Sequence, residues 1–480
     1  MNGDRRRFLR QGGFVGLGLA GRNLTPERDR ASGQASPGGS GQAATETPAP
    51  RWPRFNMAGF AAPPLDKVRI GIVGLGQRGP GHLKTVARVE GVEIRGLCDL
   101  RPEKVEAAEK LLAGSAHHPE SFTGEEGWKR LCEREDVDLV MITTPWTMHA
   151  AMAVYAMNHG KHVASEVPAA STLEECWQLV ATAEQTRRHC MMLENYSYGA
   201  FPLLTLNMAR RGFFGEVVHA DCAYNTSKMR NNFDRNMYWD MWWLKQYASR
   251  RGNIYPTHGL GPVSQVMGIN RGDRFELLVS VESRDFMMAA KAKELAATDD
   301  FFEPFAAKTF RGNMSVTTIR TARGRTIMLQ HDATSPSPHN LIHGIYGTKG
   351  AALFDPPPPR LSVGNDTWVS PEEFAALEKE HTPKITELVS ELARKIGAGH
   401  WGTDLFIDWR LVDCLRNGIP LDQDVYDAAV LSSIVPLSQW SVLNRSNSID
   451  VPDFTNGAWE RNPSNMDIML ERGGTTRVIV

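Results

Sequence analysis

Short apolar runs alternate with amphipathic segments from Lys67 to Leu193. The run 68–73 is β-rich, and a segment of helical spacing follows it to Val86. Further runs predict strands at 92–98, 137–142, 162–167 and 189–193, and helical spacing covers 103–112, 125–134, 149–158 and 173–186. This alternation predicts an α/β domain over residues 66–195 with a doubly wound parallel sheet of the Rossmann type.

The pattern changes near Phe214, where longer β-rich runs begin. They cover 217–224, 275–282, 314–321, 326–331 and 341–354, and helical segments follow at 385–396 and 405–415. Strands grouped in this way predict an α+β domain with a largely antiparallel, open sheet over residues 196–480.

The N-terminus has a different composition from the rest of the chain. Asp4 is followed by Arg5-Arg6-Arg7-Phe8-Leu9, and a short uncharged stretch runs from Gln11 to Gly21. Residues 1–30 resemble a twin-arginine export signal, which predicts a periplasmic or extracellular bacterial protein; a basic, frayed terminus is the alternative. Residues 31–65, rich in Gly, Ser, Ala and Pro, are predicted to form a flexible linker.

Composition and charge narrow the class of protein. The 480 residues are 41% hydrophobic and 23% charged, and 54 basic against 55 acidic side chains leave a net charge of -1. This balance gives no support to nucleic-acid binding, and the N-terminal apolar stretch is too short for a stable membrane span. The six cysteines lie far apart, without metal-ligand spacing, so we interpret them as buried thiols and predict no metal site.

Three glycines follow the first predicted strand. Gly74, Gly76 and Gly79 form a GxGxxG turn before a helix, and Asp99 ends the next strand twenty residues after Gly79. Such glycines allow close approach of a pyrophosphate, and the acid accepts hydrogen bonds from a ribose. The motif predicts a dinucleotide site, with NAD favoured over NADP because a carboxylate repels a 2′-phosphate. A purely structural turn is the alternative.

Other polar or aromatic residues also fall at predicted strand ends. Trp146, His149, Glu166 and Asn195 occupy such positions. Because ligands of open parallel sheets bind at that edge, these side chains belong with the glycine turn in the predicted cofactor site.

Several segments carry a family resemblance. A Thr-Pro turn after the third strand and Glu166-Val167-Pro168 after the fourth resemble the Gfo/Idh/MocA oxidoreductases, although dehydrogenases of that family have Glu-Lys-Pro. The segment Tyr255 to Pro262, with 191–195, 347–350 and 424–429, is similar to glycoside hydrolase family 109. That resemblance implies a hydrolase of N-acetylgalactosaminides or related glycosides that holds NAD tightly.

The resemblance also implies roles for individual residues. In the family's scheme the sugar is oxidised at C3, the C2 proton is removed, the aglycone leaves, water adds and C3 is reduced again. His258 would serve the 3-hydroxyl and Tyr198 the C2 proton, and the substrate site would comprise Tyr224, Tyr255, Pro256, Thr257 and His258. The full cofactor set would be Gly74, Gly76, Gln77, Arg78, Gly79, Asp99, Trp146, Thr147, Met148, His149, Glu166, Val167 and Asn195.

Each of these residues also has a purely structural interpretation. A histidine beside Pro and Gly is often a structural residue, and the aromatic run 238–243 fits core packing as well as sugar stacking. His400 and Asp404 fit a pocket wall, and Asp404 fits a helix N-cap equally well.

Two positions depart from the family pattern. Trp243 stands where members have an arginine, and His339 stands where they have a tyrosine. Both family residues are associated with substrate contact, so the sugar and anomer stay open. A sugar dehydrogenase of the same fold and a non-catalytic exported NAD- or sugar-binding protein remain as alternatives, and a homo-oligomer is possible for each.

Overall fold

A parallel sheet occupies the first half of the described chain; the computed structural model describes residues 54–479 apart from 365 and 398. Its strands are β1 (Val68–Val73), β2 (Val92–Asp99), β3 (Glu120–Thr123), β4 (Leu139–Ile142), β5 (His162–Ser165) and β6 (Cys190–Met192). The order is β3-β2-β1-β4-β5-β6, and every neighbouring pair is parallel. β4, β5 and β6 are buried along their whole length, as expected for strands covered on both faces.

Helices connect these strands. They are α1 (Gly79–Val86), α2 (Pro102–Leu111), α3 (Gly127–Cys132), α4 (Trp146–Asn158) and α5 (Leu173–Thr186). A capping box of Thr172 and Glu175 starts α5. Among the described residues no side chain caps α1, so the positive end of its dipole faces the edge where the glycine turn lies.

A second sheet follows, and it is mixed. Its strands are β7 (Val217–Asn225), β8 (Phe275–Glu282), β9 (Ser315–Thr321), β10 (Thr326–Asp332), β11 (His343–Gly347), β12 (Gly350–Phe354), β13 (Arg360–Val363) and β14 (Ile449–Asp450), in the order β13-β12-β11-β7-β10-β9-β8-β14. β7 and β10 pair in parallel and the other neighbouring pairs are antiparallel. Burial alternates along β9, so one face of the sheet packs on the core.

The helices of this second part are mostly connections and flanking elements. They are α6 (Ala200–Arg210), α7 (Met229–Asn232), α8 (Trp242–Ser249), α9 (Thr257–Met267), α10 (Met288–Ala296), α11 (Glu303–Ala306), α12 (Pro371–His381), α13 (Lys384–Ile396), α14 (Thr403–Asn417) and α15 (Val425–Leu443). α1 packs against α14, and α5 packs against α15. The second part of the chain therefore supplies helices to the parallel sheet.

The predicted fold class is confirmed, with three local differences. The run 341–354 is a hairpin, because Thr348-Lys349 turns β11 back into β12. β3 was not predicted, since it is a four-residue edge strand with two exposed positions. α15 was not predicted either, because it is apolar almost all round and lacks the periodicity of a surface helix.

The linker prediction is wrong for its last residues. Met57 and Ala62 are buried, the Met57 N–H donates to the Tyr426 hydroxyl at 3.1 Å, and the Leu65 N–H donates to the Leu415 carbonyl at 3.0 Å. A few apolar anchors therefore fix residues 54–65 despite their Gly- and Pro-rich surroundings. The predicted export signal and the rest of the linker lie outside the described residues.

The cysteine prediction is confirmed. Cys98, Cys132, Cys176, Cys190, Cys222 and Cys414 are all buried and none forms a disulfide. No helix in the described part of the chain is both long and apolar enough to cross a bilayer.

Candidate functional site

A cavity of about 1030 Å³ runs along the carboxyl ends of the parallel strands. Of the predicted cofactor residues, those that line it are Gly74, Gly76, Gln77, Arg78, Asp99, Trp146, Met148, His149, Glu166, Val167 and Asn195. Thr147 is a correction, because its side chain is exposed and does not line the cavity. The edge predicted from the strand ends is therefore where the structure brings these side chains together.

The three glycines have separate structural roles. Gly74 has φ +93°, and a Cβ there would lie 2.8 Å from the Thr143 backbone. A Cβ on Gly79 would lie 2.1 Å from the Gly74 carbonyl oxygen, so this glycine lets α1 pack against the turn. A Cβ on Gly76 would have no described atom within 4 Å. Gly76 therefore faces open space, as the position that a pyrophosphate approaches must do.

Two further features test the fit to NAD. Asn195 Oδ1 is buried without a hydrogen-bond partner among the described residues, although its amide nitrogen donates to Asp404 at 2.7 Å. Asp99 accepts from the Leu75 N–H at 2.7 Å and from the Arg101 N–H at 3.0 Å, which holds its carboxylate at the cavity wall. The glycine turn, the open helix N-terminus, the acid and the orphaned acceptor all fit a dinucleotide.

Gly76→Val is expected to abolish NAD retention while leaving the fold intact, because the new side chain fills only the open space beside the turn. The parent is expected to release NAD when it is purified and denatured, and the variant to release almost none. Gly81→Val is the matched control, since a Cβ there also meets no described atom within 4 Å and Gly81 does not line the cavity. Equal NAD release by Gly76→Val and the parent would show that the fingerprint is misplaced.

Arg78 joins several parts of the molecule at the cavity wall. Its Nε donates to Glu166 at 2.6 Å, and its two terminal nitrogens each donate to Asp404 on α14 at 3.0 Å. Burial alone would raise the pKa of Glu166, but Arg78 and His82 hold that pKa well below its ordinary value. Both carboxylates are therefore ionised and paired. Asp404 is not a helix N-cap, since Gly402 takes that position for α14.

His82 extends this network into the interior. Its Nδ1 lies 2.9 Å from Asp408 and its Nε2 lies 3.0 Å from Glu166, and both His82 and Asp408 are fully buried. The Thr85 hydroxyl also donates to Asp408. Although burial opposes it, the flanking carboxylates raise the pKa of His82 to about 10. A protonated His82 therefore links α1, α14 and the Glu-Val-Pro segment.

His258 forms a dyad with Glu194 at the other end of the cavity. Its Nδ1 lies 2.9 Å from the Glu194 carboxylate, and its Nε2 lies 3.0 Å from the Tyr255 hydroxyl. Glu194 is fully buried, and a Cβ on Gly261 would lie 2.4 Å from its side chain. Gly261 therefore lets α9, which carries His258, close against Glu194. A carboxylate on Nδ1 leaves Nε2 as the exchangeable position on the cavity side.

Aromatic rings enclose this end of the cavity. Tyr255 stacks on Trp146 with centroids 5.4 Å apart, and Tyr224 lies 5.3 Å from the ring of His258. Burial raises the pKa of Tyr224 and of Tyr255. Pro256 and Thr257 are corrections, because both are buried at the start of α9 and neither lines the cavity.

Tyr198 is also a correction. Its hydroxyl donates to the Asp422 carboxylate at 3.1 Å in a buried cluster with Arg410, and it does not line the NAD cavity. Burial and Asp422 raise the pKa of Tyr198 well above its ordinary value. Tyr196, two residues earlier in the short 3₁₀ turn Asn195–Tyr198, lines the cavity, and its ring lies 4.5 Å from that of His258.

The family departures lie around the same histidine. Trp243 packs 4.7 Å from Trp146 and 5.4 Å from Tyr255, and it lines the cavity. His339 lies 5.5 Å from Tyr224. Within the run 238–243, Trp243 is buried in the aromatic wall, as core packing predicts, whereas Trp239 is 46% exposed and lines the cavity. Sugar stacking by Trp239 stays a prediction.

Several site residues were missed from the sequence. Glu194 directly follows the predicted strand 189–193, beside Asn195. The same argument that placed polar residues at strand ends in the site could therefore have identified it. His82 follows Arg78 by one helical turn, which places both on one face of α1. Lys228, for which the sequence offers no motif, lines the cavity, and burial together with Arg78 lowers its pKa.

His149 has a structural role at the cavity floor. Its ring nitrogens lie 2.8 Å from the Pro168 and Thr144 carbonyl oxygens, so it ties two strand-end turns together. Burial lowers its pKa. In the described residues no cluster of three or more His, Cys, Asp or Glu is arranged to hold a metal ion.

Comparison with known proteins follows the same division of the chain. Residues 68–194 match the oxidoreductase family with an NAD-binding Rossmann fold, and residues 198–461 match the C-terminal domain of glycosyl hydrolase 109. The second match covers more than half of the chain. This protein belongs to glycosyl hydrolase family 109. Its cofactor is NAD, as the glycine turn predicts, and it is a glycosidase.

Relatives within family 109 match nearly their whole length. An alpha-N-acetylgalactosaminidase of Bacteroides fragilis is 44% identical over 416 residues, which cover 85% of this chain and 96% of that protein. The alpha-N-acetylgalactosaminidase of Shewanella oneidensis is 40% identical over 468 residues, with 96% and 97% coverage.

Solved structures show the same fold at low sequence identity. Levoglucosan dehydrogenase in complex with NADH and levoglucosan superposes with a TM-score of 0.61 at 17% identity, covering 81% of this chain and all of that one. Apo scyllo-inositol dehydrogenase from Lactobacillus casei gives 0.57 at 13% identity, with 81% and 99% coverage. The family 109 chain therefore has the two-part fold of sugar and polyol dehydrogenases.

Proposed function

We propose that this family 109 member hydrolyses N-acetylgalactosaminides or a closely related glycoside by transient oxidation at C3. The observation that carries this proposal is the Glu194–His258 dyad at the end of the NAD cavity, with the aromatic wall of Trp146, Tyr255 and Trp243 around it. The aromatic wall supplies apolar faces against which a sugar ring packs.

The dyad suits proton transfer from a sugar hydroxyl. When bound, NAD accepts the C3 hydride and later returns it. His258 Nε2 takes the proton of the 3-hydroxyl, and Glu194 stabilises the imidazolium that results because its carboxylate lies 2.9 Å from Nδ1. The same nitrogen gives the proton back when C3 is reduced. A C3 ketone makes the C2 hydrogen acidic: the C2 proton passes to solvent, the C2–H electron pair forms the C1–C2 double bond, and the bond from C1 to the aglycone oxygen breaks as that oxygen takes a proton. Water then adds to C1 and a proton returns to C2 before C3 is reduced.

Direct displacement at C1 needs two carboxyl groups that flank the glycosidic bond. Glu166, a carboxylate of the cavity wall, is held by Arg78 and His82 and is unsuited to act as an acid. A dehydrogenase would accumulate NADH during turnover, whereas the proposed hydrolase regenerates NAD. Absorbance at the NADH band is recorded continuously during glycoside cleavage. It rises for a dehydrogenase and stays constant for the proposed hydrolase.

Hydrolysis in deuterated water is expected to place deuterium at C2 of the released sugar, since the C2 proton leaves before water adds to C1. The product is analysed by NMR. A slow reaction of C2-deuterated substrate is the companion result, because it reports C2–H cleavage even when the proton returns before it exchanges. Full hydrogen retention together with no isotope effect would exclude the elimination route.

Two variants distinguish the role of Tyr196 from that of Tyr198. Tyr196→Phe is expected to lower kcat at unchanged stability, because Tyr196 lies beside His258. Tyr198→Phe is expected to lower the free energy of unfolding by about 1–3 kcal/mol, because Asp422 loses a buried donor, with kcat nearly unchanged. The reverse pattern in activity assays and thermal melts would restore Tyr198 to the reaction.

We further propose export by the twin-arginine route, on the strength of Arg5-Arg6 and Phe8-Leu9 alone. Changing Arg5 and Arg6 together to lysine is expected to leave the activity in the cytoplasmic fraction of a bacterial host. Unchanged appearance outside the cytoplasm would refute the signal.

A further inference from the structure

A second cavity, of about 470 Å³, opens on the far side of His258. Tyr196 and His258 line both this cavity and the NAD cavity, so the two share a wall at the dyad. The volume lies within the range of about 300–1,000 Å³ that is usual for small-molecule sites. The second cavity therefore lies directly against the histidine of the dyad.

The wall of this second cavity is mainly apolar. Its large side chains come from four separate elements, α6, β12, α13 and α14, and they are Phe201, Phe354, Val389 and Phe406. The rings of Phe201 and Phe354 lie 5.5 Å apart, and the ring of Phe406 lies 5.1 Å from that of Tyr198. Side chains from four separate elements therefore share one apolar wall.

Polar groups form the smaller part of the wall. Burial lowers the pKa of His343 to about 3, so its ring is neutral. His343 Nδ1 and Thr386 Oγ1 are buried without hydrogen-bond partners among the described residues. Asp355 accepts from the Leu341 N–H at 2.8 Å. These polar groups lie within a wall that is mainly apolar, so most of the surface offered to a ligand is apolar.

We propose that this second cavity binds an apolar aglycone of the glycoside, an aryl group or an alkyl chain of moderate length attached at C1. The proposal rests on the proposed glycosidase function and adds the class of leaving group. An N-acetyl substituent is far too small to fill 470 Å³, whereas an aryl or octyl group is of suitable size. Burial of each methylene then strengthens binding without touching the dyad.

The test compares methyl, butyl and octyl α-N-acetylgalactosaminides with the full chain loaded with NAD. The value of kcat/KM is expected to rise up to about fourfold per methylene until the cavity is filled. Ser390→Trp introduces a large side chain at an exposed position of the cavity rim on α13 and is expected to remove this gain while the methyl glycoside reacts as before. Ala200→Trp, at an exposed position on α6, provides a second obstruction should the first variant fold poorly.

Leu388→Trp is the matched control, because Leu388 lies on the same helix, is 44% exposed and does not line the cavity. It is expected to keep the full gain with chain length. A flat series, a gain that survives both obstructing variants, or a disaccharide preferred over the octyl glycoside and blocked by Ser390→Trp would overturn the proposal.

The two proposals fail in different ways. If no glycoside is cleaved, the glycosidase proposal fails, and calorimetry with the octyl glycoside and the NAD-loaded protein then decides the aglycone site by itself. Binding that Ser390→Trp weakens at least tenfold and Leu388→Trp leaves unchanged supports the site. Equal binding by all three proteins, or no binding, refutes it.

Discussion

Replacing His258 by alanine is expected to lower kcat by about 10²- to 10⁴-fold, the range for a general base, while NAD stays bound. The reason is geometric, since His258 lines the cavity, its Nδ1 is held by Glu194 at 2.9 Å, and its Nε2 lies 3.0 Å from the hydroxyl of Tyr255, another residue of the cavity wall. Glu194→Gln is expected to cause a smaller loss, because the amide oxygen still accepts from Nδ1–H and holds the ring but no longer stabilises an imidazolium. Steady-state rates and released NAD are measured together.

The chain offers a control pair of the same chemistry. His219 lies 3.0 Å from Asp221 on β7, is about one-third exposed and lines neither cavity. His219→Ala and Asp221→Asn are expected to leave kcat within about twofold of the parent value, because partly exposed ion pairs contribute little to stability. Normal turnover by His258→Ala with NAD in place would move the proton transfer to another residue.

Replacing His82 by leucine is expected to destabilise the protein by about 3–5 kcal/mol, because it leaves Asp408 buried and without its cationic partner. Glu166 loses one of its two partners in the same step. The Glu-Val-Pro segment is then less firmly placed, so NAD retention is expected to fall as well. Denaturant melts and NAD release are the measurements.

The pH dependence of this loss has a definite sign. The folded-state pKa of His82, about 10, lies above the unfolded value of 6.5, so the stabilisation is complete below pH 6.5 and disappears as the pH rises through 10. The difference between parent and His82→Leu is therefore expected to shrink from pH 6 to pH 10. His219→Leu serves as the exposed counterpart, with a loss within about 1 kcal/mol at each pH. A pH-independent difference would mean that His82 is neutral in the folded protein.

The cofactor half of the site was predictable because its signals are local. Gly74, Gly76 and Gly79 lie within six positions between a strand and a helix, and each spacing has one geometric meaning. Asp99 follows from the same motif one strand later. For these four residues, the predicted and observed positions agree because the local backbone turn alone decides where each residue lies.

The rest of the site depends on contacts between distant parts of the sequence. Arg78 and Asp404 are 326 residues apart, as are His82 and Asp408, so their pairing requires α14 to pack on α1. Tyr196 and Tyr198 show a finer limit. Both follow β6, and the 3₁₀ turn that sends one toward His258 and the other toward Asp422 leaves no periodic signal in four residues.

The burial of all six thiols has a consequence for where this protein can work. Since no cysteine side chain is accessible and none is joined to another, the fold draws nothing from covalent cross-links and offers no thiolate to oxidants. Once folded, the protein is therefore expected to keep the same covalent structure in reducing and in oxidising buffer.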